Sequence, residues 1–79
     1  MFVKKLTLVT GGFDPIHSGH IEYFKEASKL SDFLVIGLNS DEWLINKKQQ
    51  AFQDWDERAN IIKHLNMVSM VIDLSLIHI

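Results

Sequence analysis

The chain has 79 residues, 47% of them hydrophobic, with ten acidic and eight basic side chains, a formal net charge of −2, one proline and no cysteine. A chain of this length buries one small core, and its charge balance offers no basic field for nucleic acid, so any anion must be bound by local geometry. The lack of cysteine excludes disulfides and thiolate metal sites and fits a cytoplasmic location, while the apolar runs are too short to span a membrane and Met1 to Lys5 lacks a signal-peptide core.

Val3 to Thr10 reads as a strand whose nearly continuous apolar character fits a sheet covered on both faces. Thr10 to His20, TGGFDPIHSGH, follows it. Gly11 and Gly12 are expected to turn with positive φ and to leave their N–H groups unshielded. Asp14-Pro15 marks a turn, and Ser18 is the expected N-cap of a helix whose first amides and dipole favour an anion. His17 and His20 stand three residues apart at that helix start, so their rings can converge on one phosphate. A single histidine there is more often a cap or a packed ring, but the pair behind two glycines points to a site.

The helix carries Ile21, Phe24, Ala27 and Leu30 as an apolar stripe opposite Glu22, Lys25 and Lys29, and Tyr23 beside it reads as a packing residue. Phe33 to Asn39 is a second buried strand, and strand, helix and strand at this spacing predict a right-handed parallel crossover. Ligands in such sheets bind beyond the carboxyl ends of the strands, where the Gly11 to His20 loop and Asn39-Ser40-Asp41 both emerge. Ser40 is the expected N-cap of the next helix, with Asp41 and Glu42 in its first turn and Lys47 and Lys48 in its last. A further helix starts at Asp54, which forms a capping box with Glu57, and packs through Trp55, Ala59, Ile62 and Leu65. Val68 to Asp73 reads as a third strand with Val68, Met70 and Ile72 alternating.

Gly11 to His20 resembles the G-x-F-D-x-x-H-x-G-H pattern of the nucleotidylyltransferase superfamily, in particular its cytidylyltransferase-like branch. NSDEWLINKK, from Asn39 to Lys48, is similar to the segment after the second strand in glycerol-phosphate cytidylyltransferases and their relatives, where a lysine reaches the triphosphate. WDERANII, from Trp55 to Ile62, resembles a stretch whose arginine contacts the nucleotide or the second substrate. The resemblance implies a Rossmann-like three-layer α/β/α fold with a parallel sheet, of which residues 1–73 supply the N-terminal half, three strands and their intervening helices. It also implies transfer of a nucleoside monophosphate from CTP or ATP to a small phosphorylated acceptor, a sugar or polyol phosphate such as glycerol phosphate or heptose phosphate, with release of pyrophosphate.

By the same resemblance His17, His20 and Lys47 are catalytic, and Thr10, Gly11, Gly12, Phe13, Asp14, Gly19, Asp41 and Arg58 bind the nucleotide. No residue is assigned to metal, because Mg²⁺ is expected to be held mainly by the nucleoside triphosphate. Neither nucleic acid nor membrane is an expected partner, and a homodimer is expected of the full-length protein. Gln49 departs from relatives that carry a second lysine there, so one cationic contact is missing unless Lys48 substitutes for it. Asp41 also has a plain reading as a helix first-turn charge, and Arg58 as a solvated helix residue. The alternatives are an adenylyltransferase of the nicotinamide-mononucleotide or pantetheine-phosphate type, or an inactive nucleotide-binding fragment.

The last six residues, Leu74 to Ile79, read LSLIHI. They coincide with the translation of a transposase adapter used in sequencing libraries, whose continuation supplies a stop codon directly after Ile79. The expectation is that 74–79 is a non-native tail and that the native gene continues past Asp73. The 79-residue chain would then carry the signature of the chemistry with little or none of its activity.

Overall fold

The computed structural model describes residues 4–48 and 50–76. The ends of the first expected strand and of the expected tail, and Gln49, lie outside the described residues. Six elements and a terminal 3₁₀ turn follow in order: β1 Leu6–Gly11, α1 Ser18–Ser28, β2 Phe33–Leu38, α2 Asp41–Lys48, α3 Trp55–Lys63, β3 Met70–Asp73 and the 3₁₀ turn Leu74–Leu76. The strands lie in the order β1-β2-β3, with both pairings parallel. Parallel neighbours need a crossover, which α1 supplies between β1 and β2, and α2 with α3 between β2 and β3. This is the α/β, Rossmann-like arrangement that the alternation of strands and helices predicts.

Side chains on successive strand residues point to opposite faces. Val9 pairs with Ile36 in register, and Leu34, Ile36 and Leu38 share that face of β2. With Phe24 and Ala27 of α1 and Ala59 and Ile62 of α3 they make one buried cluster. The opposite face pairs Leu6 with Phe33, Leu8 with Val35, and Val35 with Met70. Leu6 is 62% exposed and Met70 57%, and Leu8 and Phe33 are also exposed. Among the described residues the molecule therefore has two layers, a sheet and one layer of helices, and its shortest dimension is 17 Å. The third layer of the expected sandwich is not supplied by them, and β1 is not covered on both faces as its apolar run predicts.

Boundaries differ from the sequence reading for local reasons. Lys4 and Lys5 precede β1, although the Lys5 carbonyl accepts from the N–H groups of Asp32 and Phe33. β3 starts at Met70 because Val68 N–H turns back to the Leu65 carbonyl and only Ser69 N–H reaches β2, at Leu34. α1 ends at Ser28 with Lys29 as C-cap, which leaves Leu30 beyond the helix and 72% exposed instead of in the core stripe. Ser40 Oγ accepts the Trp43 N–H at 3.1 Å, as an N-cap should. Asp54 accepts the Glu57 N–H at 2.8 Å, but the return arm of the expected capping box is not formed among the described residues.

Candidate active site

β1 and β2 end side by side. Their last pair is Gly11 with Leu38, and Asn39 N–H then donates to the Gly11 carbonyl at 3.0 Å before the two chains part. Neither Gly11 nor Gly12 has positive φ, contrary to expectation; that conformation falls on Phe13, at φ 49°. The glycines are needed for space. A Cβ on Gly12 would stand 2.6 Å from Leu44 Cδ2, and one on Gly11 would stand 2.9 Å from Phe13 Cζ. The turn at Phe13 brings its ring back edge-on to His20 at 5.0 Å and to Phe24 at 5.1 Å between centroids.

The N-cap of α1 is His17, one residue before the expected Ser18. His17 is extended, at φ −140° and ψ 176°, and its Nδ1 accepts the Gly19 N–H at 3.1 Å. In return His20 Nδ1 accepts the His17 N–H at 3.1 Å. Two imidazoles thus perform the reciprocal capping that Ser and Glu perform elsewhere. Gly19 has room for nothing larger, since a Cβ there would stand 2.9 Å from the His17 ring. The His20 amide reaches the His17 carbonyl, so two first-turn amides expected to face an anion, those of Gly19 and His20, are already occupied.

This arrangement fixes the chemistry of both rings. A nitrogen that accepts from an amide carries no proton, so each neutral imidazole bears its proton on Nε2 and can donate from there. The rings stack at 3.8 Å between centroids with a 27° interplanar angle. Burial, aided by the neighbouring His17, holds the His20 imidazole below the ordinary histidine value and favours the neutral donor. Thr10, Phe13, His17, Gly19 and His20 all line one open cavity of about 480 Å³, together with Val9 and Tyr23.

Asp14 and Arg58 have different surroundings. The Asp14 side chain has no exposed surface; its carboxylate accepts the N–H groups of Phe52 at 2.6 Å and Gln53 at 2.8 Å and pairs with Lys48 at 3.2 Å. Burial alone would raise this carboxyl, but the two amides and Lys48 outweigh it and hold it below the ordinary aspartate value. Arg58 is wholly buried, unlike the solvated residue its helix position predicts. It donates to the carbonyls of Gln53, Gly12 and Asn39 and to Asp41 Oδ1 at 2.7 Å. Asp14, Asp41 and Arg58 therefore brace the loops beneath the rim.

Lys47 lies apart from the histidines in its contacts, with its ammonium 5.5 Å over the Trp43 ring, while Lys48 is committed to Asp14. Tyr23 is 60% exposed and lines the histidine cavity instead of packing. Its place three residues after His20 puts both on one helix face, which is the signal that would have found it. Among the described residues no three metal-ligating side chains cluster. The rim carboxylates are already engaged, Asp14 by two amides and Lys48 and Asp41 by Arg58 through one oxygen.

Known proteins resemble this chain in sequence and fold. The chain is 38% identical over 71 residues to the bifunctional protein HldE of Campylobacter concisus, covering 87% of this chain and 15% of that protein. It is 32% identical over 68 residues to the glycerol-3-phosphate cytidylyltransferase of Bacillus subtilis, covering 86% of this chain and 53% of that one. It is 39% identical over 71 residues to an FAD synthase of Thermococcus sibiricus, covering 87% of this chain and 48% of that one. The chain thus spans about half the length of the latter two relatives. The solved structure of a lipopolysaccharide core biosynthesis protein from Thermoplasma volcanium superposes with a TM-score of 0.83 at 34% identity, covering 89% of this chain and 57% of that one. The profile of the cytidylyltransferase-like family matches residues 8–79, and by that match, with the paired histidines at the start of α1, the chain belongs to the cytidylyltransferase-like family.

Proposed function

We propose that the chain is the N-terminal part of a nucleotidylyltransferase that moves a nucleoside monophosphate from CTP or ATP onto a small sugar or polyol phosphate. An oxygen of the acceptor phosphate attacks the α-phosphorus in line. The new O–P bond forms as the bond from the α-phosphorus to the bridging oxygen breaks, and the electron pair leaves with pyrophosphate. No covalent enzyme intermediate is needed, so catalysis consists of positioning and charge stabilisation. His17 and His20 donate from Nε2 to the phosphate oxygens, Thr10 and Gly19 shape the wall beside them, and Lys47 adds a flexible charge. Mg²⁺ brought with the nucleotide would neutralise phosphate charge, and no side chain of this chain is assigned to hold it.

The observation that carries this reading is the pair of imidazoles whose Nδ1 atoms are both occupied by backbone amides at 3.1 Å, which leaves two Nε2 donors beside one cavity. The relative named a glycerol-3-phosphate cytidylyltransferase supports a polyol phosphate as acceptor over a nucleotide-only binder. Pyrophosphate release, assayed with CTP and ATP across a panel of sugar and polyol phosphates, tests it. Release that requires both a triphosphate and an acceptor is expected from the complete gene product; acceptor-independent hydrolysis contradicts it. Residues 74–79 are proposed to be the non-native tail, and resequencing the locus from an independent library tests that: LSLIHI followed by a stop contradicts it.

A further inference from the structure

Where β1 and β2 part, their ladder leaves two carbonyls behind, those of Gly12 and Asn39. One nitrogen takes both: Arg58 Nη1 donates to each at 2.9 Å. Arg58 Nε donates to the Gln53 carbonyl at 3.1 Å, and the Gln53 and Phe52 amides are held in turn by Asp14 of the motif loop. Asp41 fixes Nη2 from the first turn of α2. The guanidinium therefore joins the motif loop, the exit of β2, the start of α2 and the approach to α3. With 0% of its surface exposed, it has no face left for a nucleotide.

The residue after Gly12 is Phe13, and a bulky side chain at φ 49° persists only where its surroundings over-determine the backbone. Its ring meets His20 edge-on. We propose that Arg58 is a positioning residue: by fixing the Gly12 and Asn39 carbonyls it holds Phe13 turned back against His20 and so aims the His17–His20 pair, acting through the loop and not on the nucleotide. The consequence for phosphate binding rests on the role proposed above for the two histidines. Lysine cannot substitute, because an ammonium is a compact charge without the planar fork that spans four acceptors.

Arg58→Lys in the 79-residue chain tests the proposal, by NMR of the imidazole side chains without ligand and then by titration with inorganic pyrophosphate. At a temperature where both proteins are folded, the His20 ring resonances should move, the Phe13–His20 ring contacts should weaken, and pyrophosphate affinity should fall several-fold. A lower melting temperature with His20 and its Phe13 contacts unchanged would reduce Arg58 to fold support and overturn the proposal. Weaker pyrophosphate binding with His20 unchanged would make Arg58 a ligand contact and overturn it equally. If the lysine variant does not fold, Asp41→Ala carries the test, since it removes the partner that fixes Nη2 and keeps every backbone acceptor. The same His20 signals should move by less, and unmoved signals in that variant overturn the proposal. If the wild-type chain fails to bind pyrophosphate while Arg58→Lys moves His20, the phosphate-binding reading fails and the positioning role stands.

Discussion

At the scale of single residues, the two histidines cap one helix and each other, so structure and chemistry are tied to the same atoms. Protonating Nδ1 of either ring would remove an amide's acceptor. The His20 imidazole is held below the ordinary value of 6.5, first by burial and then by His17. The unfolded chain therefore takes up the proton first as pH falls, and stability should decline from just above pH 6.5 down to the folded value of His20. Melting curves across that window should show this slope, and His20→Gln should remove its share. In the active gene product His17→Ala or His20→Ala should lower turnover by about two to three decades, the usual loss for one preorganised donor. Wild-type turnover in either folded variant would contradict the assignment. Asp14 gives the opposite kind of signal at lower pH. Its carboxyl is held below 3.8, so its contribution is complete above that value and is lost as pH falls through its folded value. Asp14→Asn should cost about 2 to 3 kcal/mol, because it weakens bonds to two amides and Lys48 at a buried carboxylate, and should lower the melting temperature by roughly 10 °C or more. An unchanged melting temperature would contradict the bracing role.

At the scale of elements, α2 carries a discriminating prediction. Lys47 lies in the last turn of that helix, where a cation complements the dipole, and its ammonium also lies over Trp43. If it reaches the triphosphate, Lys47→Ala should weaken CTP or ATP binding; if it serves only the helix, the melting temperature should fall slightly with affinity unchanged. Measuring both separates the two. The elements themselves were legible because their signals are local: hydrophobic runs bounded by turn residues gave three strands, and Ser40 and Asp54 gave two helix starts. What misled was side-chain contact, some of it local and some distant. Ser18 resembles an N-cap by type, but the histidine pair closes a tighter cap one residue earlier. Gly11 and Gly12 resemble positive-φ positions, yet close contact is what requires them, Gly11 with the turned-back Phe13 ring and Gly12 with Leu44, and no short-range pattern announces the second, across more than thirty residues. Arg58 reads as a solvated helix residue until β1, β2 and the loop before α3 converge and present three carbonyls to it.

At the scale of the whole molecule, the face of the sheet away from α1 and α3 is only partly covered. Leu6, Leu8, Phe33 and Met70 expose an apolar surface, and β1 and β3 are both edges of the described sheet. Unpaired edge groups and contiguous apolar area favour association, and a core this small leaves stability marginal. The 79-residue chain should therefore associate in a concentration-dependent way in sedimentation, and should show little or no turnover even where phosphate affinity survives; a monomeric, cooperatively melting chain with robust turnover would contradict this. The central claim, that the Nε2 atoms of His17 and His20 meet the phosphates, does not depend on turnover. Nitrogen-resolved NMR of the imidazoles during titration with CTP and ATP tests it most directly. The account predicts that both rings begin as Nε2–H tautomers and that their Nε2 signals move together on binding while Nδ1 keeps its acceptor character; rings that stay unmoved at saturating triphosphate, or that carry their protons on Nδ1, would contradict it.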